Sequence, residues 1–266
     1  MIGVLAIGRL GNQLFQYAFA LELASRLQTD FFIKDENHLH KFYVDKYFNL
    51  SGFNRTVNKY RVLKNRKYSL TKSASENPAS DNFKHCLNDS LYHGFYQSTE
   101  YFPSLVGCMN ELVTVKKKNV LKFEHVNPDF YTSKNIVVHV RGTDYKSNDQ
   151  YPLTSEYYQK ALDSISNINE YKIHLVTDDS AYAYEMLPDG YDYSFSKGTE
   201  IEDFIKIMSA DIAIIANSSF SWWAAFLNQK LDKKIYAPTR WLGTDENPYP
   251  HEILVNTNFI KMEEGK

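Results

Sequence analysis

The chain has 266 residues, a length for one large domain or two modest ones, and 43% of them are hydrophobic, enough for a sizeable core. Lys plus Arg is 30 against 32 Asp plus Glu, a formal charge of -2, which argues against a general nucleic-acid binder but leaves room for a phosphate site built on one or two basic residues. Two cysteines, Cys86 and Cys108, exclude a disulfide scaffold or a multi-cysteine metal site.

No uninterrupted apolar run reaches the ~20 residues of a membrane span. The opening MIGVLAIGRLGNQ lacks the basic region and long apolar core of a signal peptide. Together these point to a soluble, cytoplasmic protein. The Lys116, Lys117, Lys118 cluster reads either as a solvated loop or as a peripheral contact with the inner membrane surface.

Residues 2–7 predict a buried strand, and Gly8 and Gly11 bracket a turn after it. Residues 12–27 place Leu14, Phe15, Ala18, Phe19, Leu21, Leu23, Ala24 and Leu27 at helical spacing with a broad apolar face. Residues 31–33 predict a second strand, so the chain opens as an α/β domain does. Residues 36–133 read as loops and short helices that cover or extend this domain. The 20 Tyr and 17 Phe are spread through the chain, which assigns most rings to the core or to subunit contacts rather than to sugar stacking.

The second half alternates more clearly. Strands are predicted at residues 136–140, 173–177, 212–216 and 235–237, and helices at 154–165, 202–210 and 221–229, with Thr154 as a cap. This alternation implies parallel strands covered by helices. Its restart divides the chain into domains 1–130 and 131–266.

Four segments carry chemistry. Gly8-Arg9-Leu10-Gly11-Asn12-Gln13 follows a strand and precedes a helix. Glycine permits tight turns and close ligand approach, and a helix start offers N–H groups to an anion or a sugar hydroxyl. It is not the GxGxxG fingerprint, so a plain turn is the alternative. The amides of Asn12 and Gln13 can bind a ligand, cap the helix or tie the loop down. His139-Val140-Arg141-Gly142-Thr143-Asp144-Tyr145 runs off the end of a buried strand, where open α/β sheets bind ligands. Alternation puts His139 and Arg141 on one side and Val140 on the other. Arg141 can clamp a phosphate, or it can pair with Asp144. Asn217-Ser218-Ser219-Phe220-Ser221-Trp222-Trp223 presents small hydroxyls and backbone donors at a helix start, suited to a diphosphate or to simple capping. Asp178 and Asp179 end the strand IHLVT and can bind a ribose, an acceptor sugar or a metal, or Asp179 can cap the next helix. No HExxH-like spacing accompanies them.

These segments, with Tyr236-Ala237-Pro238-Thr239-Arg240-Trp241, resemble the bacterial α-1,2-fucosyltransferases of glycosyltransferase family 11. The resemblance implies a GT-B fold, with two Rossmann-like domains facing a cleft. The first domain serves the acceptor and the second holds the nucleotide. It implies inverting, metal-independent transfer from GDP-L-fucose to the 2-hydroxyl of a terminal β-galactoside, with no further cofactor and an O-antigen or capsule role. By the same resemblance Arg141 grips the β-phosphate and His139 helps place the guanine. Asp203 accepts from the guanine edge, and Asn217, Ser218 and Ser219 meet the phosphates. Gly11, Asn12, Gln13, Asp178 and Asp179 are the candidates for the substrate side, and Arg141 and Asn12 also belong to the expected catalytic set. Asp144 and Asp149 are the candidates for the base. The usual family pattern is HxRRxD, and this chain has Gly142 at the second Arg. That departure admits another linkage or acceptor, or a looser loop. A different nucleotide sugar and a nucleotide-free glycan-binding protein are the rival readings.

Overall fold

The chain begins with a strand buried along its whole length, β1 (Ile2–Ala6). Burial on both faces is what a short run of apolar residues predicts for a central parallel strand. The structure, a computed structural model, describes residues 1–35, 41–65, 69–72, 83, 86–143, 145, 153–243, 248–249 and 253–263. They fall into two compact units, the described residues of Met1–Lys116 with Pro250–Asn256 and those of Lys117–Tyr249 with Thr257–Lys266.

In the first unit β1 leads into α1 (Leu10–Arg26) and β2 (Phe31–Asp35). Then come α2 (Val44–Tyr47), β3 (Phe48–Leu50), α3 (Arg55–Lys64), β4 (Ser69–Lys72), β5 (Ser90–His93), α4 (Met109–Leu112) and β6 (Val113–Val115). The main sheet is parallel, in the order β2-β1-β5-β4, and β3 pairs antiparallel with β6. The expected loops and short helices of residues 36–133 therefore miss β5, which lies next to β1. Four residues carry too little periodicity to announce a strand. Gly11 falls inside the first turn of α1 rather than in a turn before it. Rings fill this core: Phe19 stacks on Tyr96 at 3.8 Å, and Tyr92 and Tyr101 meet Phe19 edge-on.

The second unit runs α5 (Lys117–Val126), β7 (Lys134–Val140), α6 (Ser155–Asp163), β8 (Tyr171–Thr177), α7 (Ser180–Met186), β9 (Tyr193–Phe195) and α8 (Glu200–Met208). It continues with β10 (Ile212–Ile214), α9 (Ser219–Phe226), β11 (Lys234–Pro238), β12 (Leu242–Gly243), β13 (Pro248–Tyr249) and β14 (Ile260–Met262). Six strands form a parallel sheet in the order β9-β8-β7-β10-β11-β14. Counting only the strands of this sheet in chain order, this is the 3-2-1-4-5-6 order of a dinucleotide-binding Rossmann sheet. The architecture is GT-B, with two Rossmann-like units.

Alternation along β7 sorts its side chains. Ile136, Val138 and Val140 pack with Tyr157, Tyr158 and Leu162 of α6. His139 turns to the other face, its ring 5.9 Å from Phe220 of α9. Thr154 holds the N-cap position of α6 without a side-chain capping bond, whereas α8 opens on a capping box of Thr199 and Glu202. Lys116 donates to the carbonyl of Asp45, and Lys117 and Lys118 begin α5 instead of a loop. Among the described residues, no helix is long and apolar enough to cross a membrane.

Gln16, fully buried in α1, ties together the ends of β1 and β5. Its Oε1 accepts from Ile7 N, and its Nε2 donates to the carbonyls of Ile7 and Gly94 at 3.1 and 3.2 Å. Gln16→Leu strands three buried backbone groups and is expected to lower the unfolding free energy by about 2–4 kcal/mol, measured by urea denaturation.

Candidate active site

The strand order of the second sheet reverses between β7 and β10, and their carboxyl ends are where such sheets receive ligands. The His139–Tyr145 segment leaves one of these ends and the Asn217–Trp223 segment follows the other. Two motifs separated by more than seventy residues therefore meet at one crevice.

Arg141 stands just past β7 and forms an ion pair with Asp178, just past β8. Asp178 also accepts from Gly142 N at 2.7 Å and from the Thr143 hydroxyl at 2.8 Å. Three donors converge on this one carboxylate, so it anchors Arg141 and the loop. Asp178, expected on the substrate side, is engaged here by the donors of the Arg141 loop. The pairing of Arg141 with Asp144 and the choice of Asp144 or Asp149 as base fall outside the described residues. Asp179 takes the capping place that the sequence offered as an alternative: its carboxylate accepts from Tyr182 N at the start of α7. The guanidinium carbon of Arg141 lies 5.4 Å from the Tyr145 ring centre, and the Tyr145 hydroxyl donates to Asn217 O at 3.0 Å. Tyr145 therefore joins the two loops, a role that no local pattern announced.

The crevice contains buried polar atoms that lack partners. Asn217, 1% exposed, donates its Nδ2 to Trp241 O at 2.6 Å, and its Oδ1 has no hydrogen-bond partner. His139, 5% exposed, leaves Nδ1 without one. Each such atom costs about 1–3 kcal/mol unless something fills it. Burial, reinforced by the Arg141 charge, holds the His139 imidazole down to about 3 from its ordinary 6.5. Its ring is therefore a neutral group with one donor and one acceptor nitrogen. Ser218 takes the N-cap position of α9 without a side-chain capping bond, Ser219 opens the helix, and Ser221 donates back to the carbonyls of Ala216 and Ser218. The helix thus begins at Ser219, two residues before its expected start.

Asp203 sits in the first turn of α8, and the adjacent Phe204 meets Phe220 edge-on at 5.5 Å. The contacts Phe204–Phe220–His139 tie α8 to the crevice. Two residues missed from the sequence hold Asp203. Lys206, 7% exposed, donates to Ser196 Oγ at 3.0 Å, and Ser196 donates to Asp203 Oδ1. An ammonium only donates and a carboxylate only accepts, so the direction of the serine proton is set at both ends. Burial pushes the Asp203 carboxyl up, opposed by Ser196 and Lys206. Burial pulls the Lys206 ammonium down.

In the first unit Gly8 adopts φ +72°, and a Cβ there would stand 2.3 Å from Asn12 Nδ2. The positive φ is what calls for glycine here. Asn12 Oδ1 accepts from Gln97 Nε2 at 2.7 Å. Gln13, expected on the substrate side or as a tie for the loop, is placed here as a loop staple. It is fully buried, donates to the carbonyls of Gly8 and Lys41, and accepts from Tyr43 N. Gly11, buried in α1, contributes no side chain to a ligand. Among the described residues, no group of three or more His, Cys, Asp or Glu is placed to hold a metal ion. A cavity of about 520 Å³ lies at the opposite end of the second sheet, beside Phe130, Asn135, Tyr171 and His174, and includes none of the motif residues.

The model of glycosyl transferase family 11 matches residues 1–245. The chain belongs to this family, and it is a glycosyltransferase. It is 29% identical to an α-1,2-colitosyltransferase of Escherichia coli, over 90% of this chain and 91% of that one. It is 24% identical to the O-antigen biosynthesis glycosyltransferase WbnK of Escherichia coli, over 94% and 98% of the two chains. The fold is similar to that of the α-1,6-fucosyltransferase NodZ of Bradyrhizobium, in crystals soaked with GDP-fucose, at a TM-score of 0.53, 13% identity, and 85% and 92% coverage.

Within this family-11 chain the glycine at position 142 has a steric cause. A Cβ at Gly142 would lie 2.4 Å from Asp179 Cβ and 3.3 Å from Tyr182 Cδ1. The start of α7 packs directly against the loop, so Gly142 permits close approach there. Gly142→Ala is expected to lower stability by about 1–3 kcal/mol, read by thermal denaturation, because backbone must shift. A His139 ring held at about 3 predicts a neutral imidazole in the folded protein at pH 5, checked by its nitrogen chemical shifts. Since the unfolded ring binds its proton near 6.5, this group's stabilisation is complete above that pH and is lost progressively as pH falls toward 3.

Proposed function

We propose that the chain transfers L-fucose from GDP-L-fucose, with inversion, to the 2-hydroxyl of a terminal β-galactoside, without a metal. The observation that carries this reading is Arg141, anchored at the switch point of a Rossmann sheet beside unpartnered atoms of His139 and Asn217. A planar guanidinium suits a pyrophosphate and stabilises charge that grows on the departing nucleotide. Asp203 accepts from guanine N1 and N2, a donor pair that uracil and adenine lack. His139, Asn217, Ser218 and Ser219 complete the donor side. Asn12 serves the acceptor, and Asp144 or Asp149 takes the proton of the attacking hydroxyl. The reaction is a single displacement at the anomeric carbon. The C1–O bond to GDP breaks as the bond from the acceptor oxygen forms, and much of the rate comes from holding the two substrates together.

The linkage is supported by the relative at 29% identity, which is an α-1,2-colitosyltransferase. The same relative favours a second reading of the donor sugar. Colitose is fucose without its 3-hydroxyl. A site that hydrogen-bonds this hydroxyl would reject GDP-colitose by roughly 10⁴-fold, whereas an apolar surface there would accept it.

Turnover of both GDP-sugars against a panel of galactosides, with linkage analysis of the product, tests these readings. GDP is expected to bind and UDP to bind far more weakly. Arg141→Ala should lower kcat by about 10²–10³ with the fold retained. A protein that binds galactosides and releases no GDP from a GDP-sugar would be a glycan-binding protein instead.

A further inference from the structure

The loop after β5 departs from ordinary backbone at one residue. Tyr96 has φ +55°, a region that a bulky side chain rarely enters. It is fully buried and held there by its stack on Phe19. Ser98 N then donates to Tyr96 O at 2.9 Å, closing a three-residue turn with Gln97 at its centre. The result is that Gln97 is delivered beside Asn12, at the carboxyl end of the strands where β1 meets β5.

Gln97 is 8% exposed. Its Nε2 donates to Asn12 Oδ1 at 2.7 Å. Its Oε1 is buried and has no hydrogen-bond partner. An amide oxygen can only accept, so whatever completes this site must bring a proton donor. A nucleotide phosphate, ionised at neutral pH, brings none. A sugar hydroxyl does, and it can also accept from a neighbouring amide.

We infer that Gln97 binds the acceptor substrate, its Oε1 taking a hydrogen bond from a hydroxyl of the acceptor sugar other than the one that attacks. This rests on the transfer reading above and adds to it a residue that none of the sequence motifs contains. Asn12 then acts partly through Gln97, since their mutual bond sets which end of each amide faces the sugar.

The test uses methyl β-D-galactopyranoside and its 3-, 4- and 6-deoxy derivatives as acceptors, with wild type, Gln97→Met and Gln97→Glu. Gln97→Met should raise the acceptor KM about tenfold, the worth of one hydrogen bond left unmade. The GDP Kd and the slow hydrolysis of GDP-fucose without acceptor should stay unchanged. One deoxy compound should be a poor acceptor for wild type yet suffer no additional penalty in Gln97→Met, the signature of a direct pair. Gln97→Glu keeps an oxygen acceptor but loses the Nε2 donor to Asn12 Oδ1, so its acceptor KM should also rise while the wild-type deoxy penalty, lost in Gln97→Met, returns. An unchanged acceptor KM in Gln97→Met, or equal deoxy penalties in both proteins, would overturn the inference. Failure of wild type to bind GDP, or to release GDP from a GDP-sugar with any acceptor, would instead remove the transfer reading, since GDP binding does not involve Gln97.

Discussion

The ion pair of Arg141 with Asp178 is the contact on which the second unit's crevice depends. A guanidinium at the end of a central strand has many allowed rotamers, and a carboxylate from the neighbouring strand selects one. Asp178 also takes the Gly142 N–H and the Thr143 hydroxyl, so the same group shapes the loop that carries Arg141. Gly142 is the steric condition for this, because a side chain there would meet Asp179. The glycine that departs from the usual family pattern belongs to a local packing solution between β7 and α7.

Satisfied and unsatisfied polar groups separate scaffold from site in both units. Gln13, Gln16 and Asp179 direct their polar atoms to backbone groups and hold loops in place. His139, Asn217 and Gln97 are buried too, and each keeps an atom without a partner. Folding tolerates few such atoms, and here they lie beside the motif residues at the carboxyl ends of the two parallel sheets. Tyr96 adds a strained backbone at the same end of the first sheet, at a cost of about 1–3 kcal/mol that the stack on Phe19 helps to offset.

Much of this was legible in the amino-acid order. The strands around residues 2–6, 134–140 and 171–177 announce themselves by apolar runs, and α1 and α8 by helical periodicity. Glycine and small polar residues following strands marked the loops that matter. Individual roles within the motifs were less legible. Asn12 and Gln13 are adjacent amides of similar chemistry, yet one meets Gln97 and the other staples a loop. Asp178 and Asp179 are adjacent acids, yet one anchors Arg141 and the other caps α7. Side chains of neighbouring residues point in different directions, and only the surrounding fold says what each direction contains.

Periodicity, turn chemistry and capping act over a few residues, and for that reason the order of strands, helices and loops and the family of the chain can be read without coordinates. Strand order, the anchor of Arg141 and the pairing of Asn12 with Gln97 belong to the tertiary structure alone. They join residues 37 and 85 positions apart, and no local pattern records which distant residue a parallel sheet will bring alongside. Short elements such as β5 and β9 share this dependence, since a few extended residues become a strand only when a neighbouring edge receives them.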